Sequence, residues 1–533
     1  MDIALPVLGG LGLFLYGMNV MGTGLQKGAG NKLKSIVGAL TQNKLLGVLV
    51  GIVVTMIIQS SSATTVMVIG FVNAGVMSLV QATAVIMGAN IGTTVTAQII
   101  AFNLTDYAPL AVIIGIVFLL FTSKKRTKEI GEILVGIGIL FIGMDMMGSG
   151  LEPLSELPVF SKVMSSLNNP FLGILVGAGL TTVLQSSSAA TGLLQALATK
   201  GLINMNVIFP ILIGENIGTT TTALVSSVGA NKTAKRAALI HLIINLVGAT
   251  IFMLGLRYPI EWLVKYLSPD NLSRQIANTH SFFNILNVAI QFPFAIYLVK
   301  VVEKLVPGEE TSIRPSTVYI DERIIETPSI AIGQANKEIV RMGDIVLKNL
   351  RLSHQVLLSD DFEGLDSLFA TEVLINKLER EITEFAIRLS NAPISMKEHE
   401  EVNNLLYTIN DIERVGDHVE NIAELSTYME EHGIIFSEDA KLGLEDMYSK
   451  CEKMVTMAMQ SFGDRDKALA EEVIKLEEKA NKIEAENRTA HIERLNTGTC
   501  MTEPGIMFLD TLSNLERVAD HSVNIAKHVI KDF

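Results

Sequence analysis

No charged residue occurs between Lys44 and Asp106, a stretch of 61 positions. One helix crosses the hydrocarbon core of a bilayer with about 20 apolar residues, so this stretch is long enough for several passes. The apolar pattern continues to about residue 305 and predicts an all-α fold with a polytopic membrane domain over residues 1–305. The apolar segments lie at 5–22, 44–77, 80–102, 107–122, 129–150, 170–202, 206–228, 237–256 and 281–300.

The charge of the chain divides it into two unlike parts. Residues 1–306 carry 18 basic and 11 acidic side chains, whereas residues 307–533 carry 24 basic and 44 acidic ones. This division excludes a simple soluble globule, and the lack of a dense basic stripe in the sequence excludes nucleic acid as a partner. Both cysteines, Cys451 and Cys500, lie in the acidic part and are expected to be free thiols in a reducing compartment.

Two of the apolar segments, 44–77 and 170–202, are too long for one crossing and short for two. Each has a polar cluster at its middle, Gln-Ser-Ser-Ser at positions 59–62 and again at 185–188. Two half-helices that meet at such a cluster would form a re-entrant hairpin whose tip lies inside the membrane. Non-helical backbone is tolerated at that depth only where it is buried in protein or lines a wet cavity, so the tips are expected to be functional.

The distribution of basic residues supports this topology. With the N-terminus outside and each hairpin returning to the side from which it came, the basic clusters fall on one side of the membrane. They include residues 124–128 and 232–236, and the acidic part of the chain follows on the same side. We therefore expect a multi-pass protein with its N-terminus outside and its C-terminal domain in the cytoplasm.

The membrane part repeats itself at a fixed offset of 126 residues. The Gln-Ser-Ser-Ser cluster returns in this way, and Asn-Ile-Gly-Thr-Thr at 90–94 returns at 216–220. One copy contains three crossings and one hairpin, so the second copy must be upside down, which places inverted repeats at about 1–123 and 127–256. Inverted repeats with interrupted helices indicate a secondary transporter with its site near the bilayer midplane.

The motif residues suit an anion together with a counter-ion. Free N–H groups and the positive dipole end at a helix break favour an anion, and serine hydroxyls add donors. Hydroxyl, carbonyl and glutamine oxygens are hard ligands that suit Na⁺, which would neutralise an anion that meets no Lys or Arg within these motifs. The spacing supplies no base and acid for a serine nucleophile, so no enzyme activity is expected. The alternative interpretation is close helix packing with interhelical hydrogen bonds.

Other polar residues in the membrane part are weaker candidates. Glu215 stands where the first copy has Ala89, and an intramembrane carboxylate is a cation ligand, a coupling proton site or a structural acid. His-x-x-x-Asn occurs at 241–245 and at 280–284, which we interpret as buried polar contacts between helices, with a role in transport as the alternative. The additional site candidates are Asn90, Asn216 and Glu215.

The two hairpins, each followed by Asn-Ile-Gly-Thr-Thr, resemble the type II sodium–phosphate cotransporters and their bacterial relatives over about residues 1–305. The resemblance implies that the hairpin tips and the following threonines bind phosphate and Na⁺. On this chain these roles fall on Gln59, Ser60, Ser61, Ser62, Thr93, Thr94, Gln185, Ser186, Ser187, Ser188, Thr219 and Thr220.

The acidic part begins with a predicted linker, residues 306–335, and continues with a helical pattern over residues 336–533. A second repeat occurs there at an offset of 103, because Glu-Arg-Val-Gly-Asp at 413–417 returns as Glu-Arg-Val-Ala-Asp at 516–520. The expected architecture is an antiparallel helical bundle domain with two three-helix repeats, over about 336–430 and 440–533.

This second repeat resembles the PhoU phosphate-regulatory domain. The resemblance implies that a divalent metal ion binds the Glu-x-x-x-Asp face of each repeat, helped by an acid on the facing helix. Here the facing positions are Asn376 and Asn481, and the alternative is a charged face that is solvated or pairs with Arg414 and Arg517. The candidate metal ligands are Glu413, Asp417, Glu516 and Asp520.

The sequence therefore predicts a sodium-coupled transporter of inorganic phosphate in a bacterial inner membrane, which works by alternating access and is regulated by a cytoplasmic PhoU-like domain. The expected partners are inorganic phosphate, Na⁺ as the coupling ion and the lipid bilayer, with a homodimer left open. Two alternatives are a phosphate exporter, because the same site serves either gradient, and a phosphate-sensing receptor without net flux. The doubled site favours a transporter, since a sensor needs one pocket.

Overall fold

The computed structural model of the chain divides into two units, Met1–Glu310 and Thr311–Phe533. Every regular element within the described residues is a helix, which confirms the predicted all-α fold. The structure describes residues 3–29, 43–167, 169–308, 317–359, 362–498 and 500–531.

The first unit has short helices at the two predicted hairpins and longer ones around them. Both Gln-Ser-Ser-Ser clusters separate a helix of 15 residues from one of 13. The helices of this unit are α1 Ala4–Ala29, α2 Lys44–Ile58, α3 Ser61–Asn73, α4 Leu79–Gly92, α5 Thr94–Ile100, α6 Ala108–Phe121, α7 Lys125–Leu151, α8 Pro158–Ser166, α9 Pro170–Leu184, α10 Ser187–Thr199, α11 Met205–Gly218, α12 Thr220–Ser226, α13 Lys232–Ile251, α14 Arg257–Leu267, α15 Leu272–Gln291 and α16 Ala295–Leu305.

Six helical stretches among the described residues are long and apolar enough to cross a membrane. They include α1, and α4 joined to α5 through the first Asn-Ile-Gly-Thr-Thr motif. The predicted span at 107–122 corresponds to the shorter apolar stretch Thr105–Phe121. The six stretches are Ala4–Ala29, Leu79–Ile100, Lys125–Leu154, Met205–Ser226, Lys232–Leu267 and Leu272–Leu305.

The helix boundaries repeat at the same offset of 126 as the sequence. α2, α3, α4 and α5 begin at residues 44, 61, 79 and 94, and α9 to α12 begin at 170, 187, 205 and 220. In both copies, glycines let the first hairpin helix lie directly against a neighbour. A Cβ atom at Gly51 would overlap the backbone of α4, and one at Gly177 would overlap the backbone of α11. Small residues at such contacts allow two helix backbones to touch.

Helices α1 and α7 also pack through glycines, and the contacts are reciprocal. A Cβ atom at Gly17 would overlap the backbone at Gly136, and one at Gly136 would overlap the backbone at Gly17. Gly10 and Gly143 form a second reciprocal pair on the same two helices. These four glycines form a seam between α1 and α7. Around this seam lies a core cluster that includes Phe14, buried together with apolar side chains from α7 and α10.

The second unit consists of two sets of three long helices, as predicted. The helix after the linker begins at Pro328, eight residues before the predicted start of the helical domain at 336, because proline is well tolerated in the first turn of a helix. Residues 309–316 of the predicted linker lie outside the described residues. The helices are α17 Pro328–Ser359, α18 Leu365–Ser390, α19 Met396–His432, α20 Glu438–Asp464, α21 Lys467–Asn496 and α22 Thr502–Lys531.

Replacement of Gly177 by alanine is expected to destabilise the membrane unit. The added methyl group would meet the carbonyl of Ile211 and push α9 away from α11, and overpacking of this kind costs about 1–3 kcal/mol. Gly179 lies two residues away, and a Cβ atom there would meet nothing within 4 Å. Gly179→Ala should be neutral or stabilising, since alanine is the better helix former by ~1 kcal/mol.

Thermal unfolding of the purified protein in detergent is measured, with size-exclusion chromatography to monitor the loss of folded protein. A Gly177→Ala protein as stable as Gly179→Ala would contradict the close helix contact.

Candidate functional site

A helix break lies at each Gln-Ser-Ser-Ser cluster. In both copies a glutamine follows the first hairpin helix in the left-handed conformation, with φ of 60° at Gln59 and 55° at Gln185. The next residue, Ser60 or Ser186, caps the following helix, and its hydroxyl oxygen accepts the N–H three residues on, at 3.1 and 3.2 Å. A left-handed glutamine is strained, so the surrounding structure must hold both breaks in place.

The remaining serines of the clusters form the first turn of α3 and of α10. Ser61 and Ser187 occupy the first helical position and are buried; Ser188 is also buried and Ser62 is half-buried. The first N–H groups of a helix have no acceptor within that helix, and the helix dipole is positive at this end. Both breaks therefore present hydroxyl and N–H donors that suit an anion.

A second break follows in each copy, at the Asn-Ile-Gly-Thr-Thr motif. Thr93 and Thr219 lie at the junction, Thr94 and Thr220 begin the next helix, and all four are buried. The hydroxyls of Thr94 and Thr220 donate to the carbonyl three residues back, at 2.8 and 2.7 Å. Because the proton is used within the helix, each hydroxyl oxygen offers lone pairs, which suit a cation. Glu215 is buried one turn before Thr219.

Side chains join the two breaks of each copy. In the first copy, Oε1 of Gln59 accepts a hydrogen bond from Thr96 on α5 at 2.9 Å. In the second copy, the hydroxyls of Thr182 on α9 and Thr221 on α12 lie 3.0 Å apart. Both glutamine amides donate to the carbonyl three residues back, of Met56 and of Thr182, but Gln59 is buried whereas Gln185 is exposed. The copies are thus alike in backbone and unlike in their side-chain contacts.

The two copies meet through the helices that follow their breaks. Helix α3 of the first copy packs against α12 of the second, and α10 of the second copy packs against α5 of the first. Gln195 on α10 links the copies further, because its buried amide donates to the carbonyls of Ala97 at 3.1 Å and Ser273 at 3.2 Å. The helices that begin at the four motifs therefore pack in two pairs, each with one helix from each copy.

The asparagines of the two Asn-Ile-Gly-Thr-Thr motifs have different partners. Oδ1 of Asn90 lies 3.2 Å from Nε2 of His241, and its amide donates to Asn245 at 3.4 Å. The amide of Asn216 instead donates to the carbonyl of Leu212 in its own helix at 2.8 Å. Helix α13 therefore contacts the Asn-Ile-Gly-Thr-Thr break of the first copy through His241 and Asn245, which the His-x-x-x-Asn spacing places on one face of the helix.

The sequence analysis did not identify two polar side chains that contact α5, Gln195 on α10 and Arg274 on α15. The guanidinium of Arg274 on α15 lies over the ring of Phe102 at 4.4 Å and donates to Gln98 on α5 at 3.3 Å. A positive charge therefore approaches the helix that follows the first threonine break, although the motifs contain no Lys or Arg. Gln195 is visible in the sequence as an amide where the first copy has Ile69, whereas no local pattern marks Arg274.

In the second unit, the predicted metal ligands pair with arginines. Arg414 lies 3.1 Å from Asp417 and 3.7 Å from Glu413, and Arg517 makes the corresponding contacts in the second repeat. These contacts agree with the alternative of a charged face paired with arginine. In the part of the chain that the structure describes, no group of three potential metal ligands forms around Glu516 and Asp520.

One group of acids in the first PhoU-like repeat differs from the predicted set. Glu372 on α18 and Asp417 and Glu420 on α19 place carboxylate oxygens within 4.8 Å of one another. The acid on the facing helix is therefore Glu372, one turn before the predicted position Asn376. Both oxygens of Glu372 are buried without a hydrogen-bond partner, and burial and then the carboxylates of Glu420, Asp417 and Glu413 raise the pKa of Glu372 to about 8.

Both units match known protein families. The model of the Na⁺/Pi-cotransporter matches residues 13–149 and 143–263, and the model of the PhoU domain matches residues 339–426 and 444–529. The chain belongs to the Na⁺/Pi-cotransporter family. Its second unit carries a PhoU domain. Because its first unit has helices long and apolar enough to cross a membrane, the protein is a multi-pass member of a phosphate-transporter family, as the motifs predicted.

Three relatives show how far the similarity extends. The "Putative inorganic phosphate export protein YjbB" of Salmonella typhimurium is 24% identical over 533 residues, which cover 99% of this chain and 97% of the relative. The uncharacterized protein YqeW of Bacillus subtilis is 31% identical over 297 residues, 56% of this chain and 96% of the relative. The sodium-dependent phosphate transport protein 2C of Homo sapiens is 35% identical over 142 residues, 24% of each chain.

Replacement of Glu372 by glutamine is expected to stabilise the protein at neutral and alkaline pH. The pKa of this carboxyl is about 8 in the folded protein and near 4.5 when it is unperturbed. Between these values the folded state binds the proton and the unfolded state does not, so the stability of the natural protein falls as the pH rises. Glu372→Gln removes this fall and should raise Tm by about 2–4 °C at a pH of about 8.

The check is thermal unfolding of the purified chain across this pH range, with a chelator present. Glu486→Gln, which changes an exposed acid on α21, serves as the control and should leave the pH profile unchanged. Parallel profiles for the natural protein and Glu372→Gln would disprove the shifted pKa.

Proposed function

We propose that this protein moves inorganic phosphate across the bacterial inner membrane together with Na⁺, by alternating access. The observation that carries the proposal is the crossed packing of α3 against α12 and of α10 against α5. This packing sets a helix that starts at a serine turn in one copy beside a helix that starts at a threonine break in the other. Donors and acceptors from both copies are thus gathered, as expected for a site that opens alternately to two sides.

The serine turns would bind the phosphate. Ser61 and Ser187 each begin a helix of 13 residues, long enough to have a dipole whose positive end faces the break. Hydrogen bonds from N–H and hydroxyl donors to an ionised oxygen are stronger than those between neutral groups. Two such turns would bind an oxyanion without a basic residue from either hairpin.

Sodium would supply the positive charge. No Lys or Arg occurs between residues 45 and 105 of the first copy, and none occurs within α9, α10, α11 or α12 of the second. An unpaired phosphate ion would lose its hydration at a cost of several kcal/mol or more. The oxygens of Thr94 and Thr220 and the side chains of Gln59 and Gln185 are the cation ligands that we assign to Na⁺. Binding of phosphate would then require Na⁺, which is the physical basis of coupling.

Helix lengths support re-entrant hairpins. At 1.5 Å per residue, α2 and α3 are each about 20 Å long, too short for a hydrocarbon core of ~30 Å. The same holds for α9 and α10. We therefore place both serine turns near the midplane and the two copies in opposite orientations. The basic residues at 124–128 and 232–236 then lie in the cytoplasm with the PhoU domain, and the N-terminus lies outside.

The PhoU domain would regulate the flux from the cytoplasm. The segment just before α17 is fixed to this domain, because the buried carboxylate of Glu338 accepts the N–H groups of Val318 and Tyr319 at 2.8 and 2.6 Å. A rearrangement of the helix bundle would therefore move the chain that leads back to the membrane unit.

Export of phosphate is the second candidate function. The Salmonella relative, which is similar over 99% of this chain, is named as a phosphate export protein. A cytoplasmic regulatory domain also suits a protein that responds to phosphate inside the cell. The human relative is named for sodium dependence and supports the coupling ion, not the direction.

Replacement of Ser61 or Ser187 by alanine is expected to lower phosphate flux about tenfold or more, because each variant loses a hydrogen bond to a charged oxygen worth about 1.5–3 kcal/mol. The measurement uses the full chain in proteoliposomes with radiolabelled phosphate and a Na⁺ gradient directed inward, directed outward or absent. Uptake that needs inward Na⁺ supports symport, and efflux alone supports export. Binding without flux would contradict transport.

Ser166→Ala is the matched control, because Ser166 is an exposed serine on α8 away from both breaks. It should leave flux unchanged. Full flux in both Ser61→Ala and Ser187→Ala, with the control also active, would overturn the assignment of the serine turns.

A further inference from the structure

The second copy of the repeat has a carboxylate where the first has none. Glu215 on α11 occupies the position of Ala89 and is 0% exposed. Its Oε2 accepts a hydrogen bond from Thr191 on α10 at 2.7 Å, and its Oε1 is buried without a hydrogen-bond partner. A buried carboxylate with one neutral hydrogen bond is stable only if a cation neutralises it.

No described basic side chain neutralises Glu215. The two helices beside it, α9 and α10, have no titratable residue, and neither does α12. The remaining helices packed against α11 are α13, α14 and α15. The buried or half-buried charged or titratable groups on these helices are Lys232, Arg236, His241, Arg257, Glu261, Arg274 and His280. Lys232 begins α13, and Arg236 donates to the carbonyl of Val306 at 2.8 Å.

These groups are engaged elsewhere or lie apart from the carboxylate. His241 bonds to the asparagine of the first copy, and Arg257 pairs with the glutamate one turn further along α14 at 2.8 Å. Arg274 donates to a glutamine on α5. Both ring nitrogens of His280 are buried without a partner, so His280 does not bond to Glu215. The neutralising cation must therefore come from solution.

The fold itself does not need an acid at this position. The first copy has the same glycine contact between α2 and α4 with the buried Ala89 in place of Glu215. There, the hydroxyls of Thr55 and Thr64 bond to each other at 3.0 Å. In the second copy residue 190 is alanine, and the hydroxyl of Thr181 is buried without a partner. A buried acid that costs stability and serves no packing role indicates function.

We propose that Glu215 is a proton-binding site of the transport cycle, occupied by a proton while Thr191 donates to it and emptied when α10 moves away from α11. This inference rests on the proposed function. A proton fits better than Na⁺, because the backbones of α9 and α11 touch at Gly177 and Gly214, beside the backbone of Glu215, and among the described residues only Thr191 forms a hydrogen bond with the carboxylate. A dehydrated Na⁺ ion needs several oxygen ligands, whereas a proton needs one.

Geometry links this proton to the phosphate site. Thr191 follows Ser187 by four residues on α10, so the two side chains lie on one face, one turn apart. A shift of the first turn of α10 that opens the serine turn would also break the hydrogen bond between Thr191 and Glu215. Release of the proton and rearrangement of the anion site would therefore occur in the same step.

Glu215→Gln tests the proposal, because glutamine keeps the shape of the protonated acid and still accepts the Thr191 hydrogen bond. Phosphate flux into proteoliposomes is measured with the full chain at saturating Na⁺, between about pH 6 and pH 8.5. The ratio of variant to natural flux cancels the titration of phosphate itself. We expect this ratio to change about fivefold or more for Glu215→Gln, and to stay constant for His280→Gln and for Glu303→Gln, an exposed control on α16.

Each other outcome has a defined meaning. A constant ratio for Glu215→Gln overturns the proposal, and a constant ratio with an altered Na⁺ dependence overturns it in favour of a Na⁺ ligand. A ratio that varies for His280→Gln instead would assign the proton to His280. If the natural protein moves no phosphate in any gradient, the proposed function itself has failed, so the two failures are distinguishable.

If Glu215→Gln abolishes transport, the protonation of Glu215 can still be measured directly by infrared spectroscopy. The infrared difference between the natural protein and Glu215→Ala, which reproduces Ala89 of the first copy, should contain the C=O stretch of a protonated carboxylic acid at neutral pH. A carboxylate band in its place would show that Glu215 is ionised and would overturn the proposal.

Discussion

The membrane unit depends on one constraint, which is that interrupted helices must be kept away from lipid. A helix break frees backbone N–H and C=O groups, and hydrocarbon offers them no partner. Here α12 of the second copy packs on the helix that follows the first serine break, and α5 of the first copy packs on the helix that follows the second. In the proposed site the same helix contacts would also gather the ligands, so substitutions at these contacts are expected to affect both stability and flux.

Glycine makes this arrangement possible. A hairpin half-helix of 15 residues has little surface with which to fix its position. Direct contact of its backbone with a neighbouring helix, α4 at Gly51 in one copy and α11 at Gly177 in the other, compensates with a large number of close atomic contacts. The reciprocal seam between α1 and α7 follows the same principle and joins corresponding helices of the two copies.

Local features of the fold followed from the sequence, and long-range ones did not. Both helix breaks lie where the Gln-Ser-Ser-Ser and Asn-Ile-Gly-Thr-Thr motifs predicted them, because capping serines and flexible glycines act within a few residues. The bond from Gln195 to Ala97 joins segments 98 residues apart, and no periodicity reports such pairing. Glu372 was missed for a related reason, since the rotation of α18 about its axis decides which acid faces α19.

The unlike side chains of the two copies would affect the energetics of the proposed alternating access. Two identical inverted copies would make the outward-facing and inward-facing states equal in energy on the protein side, so only the ion gradients would set their populations. This chain has an Asn90–His241 contact in one copy and a buried Glu215 in the other. In the proposed cycle the two states would therefore have different protein energies, and any ligand that binds one of these groups better in one state would shift the balance between them. Such a shift would give the PhoU domain a small free-energy difference to act on without any change in the transported ions.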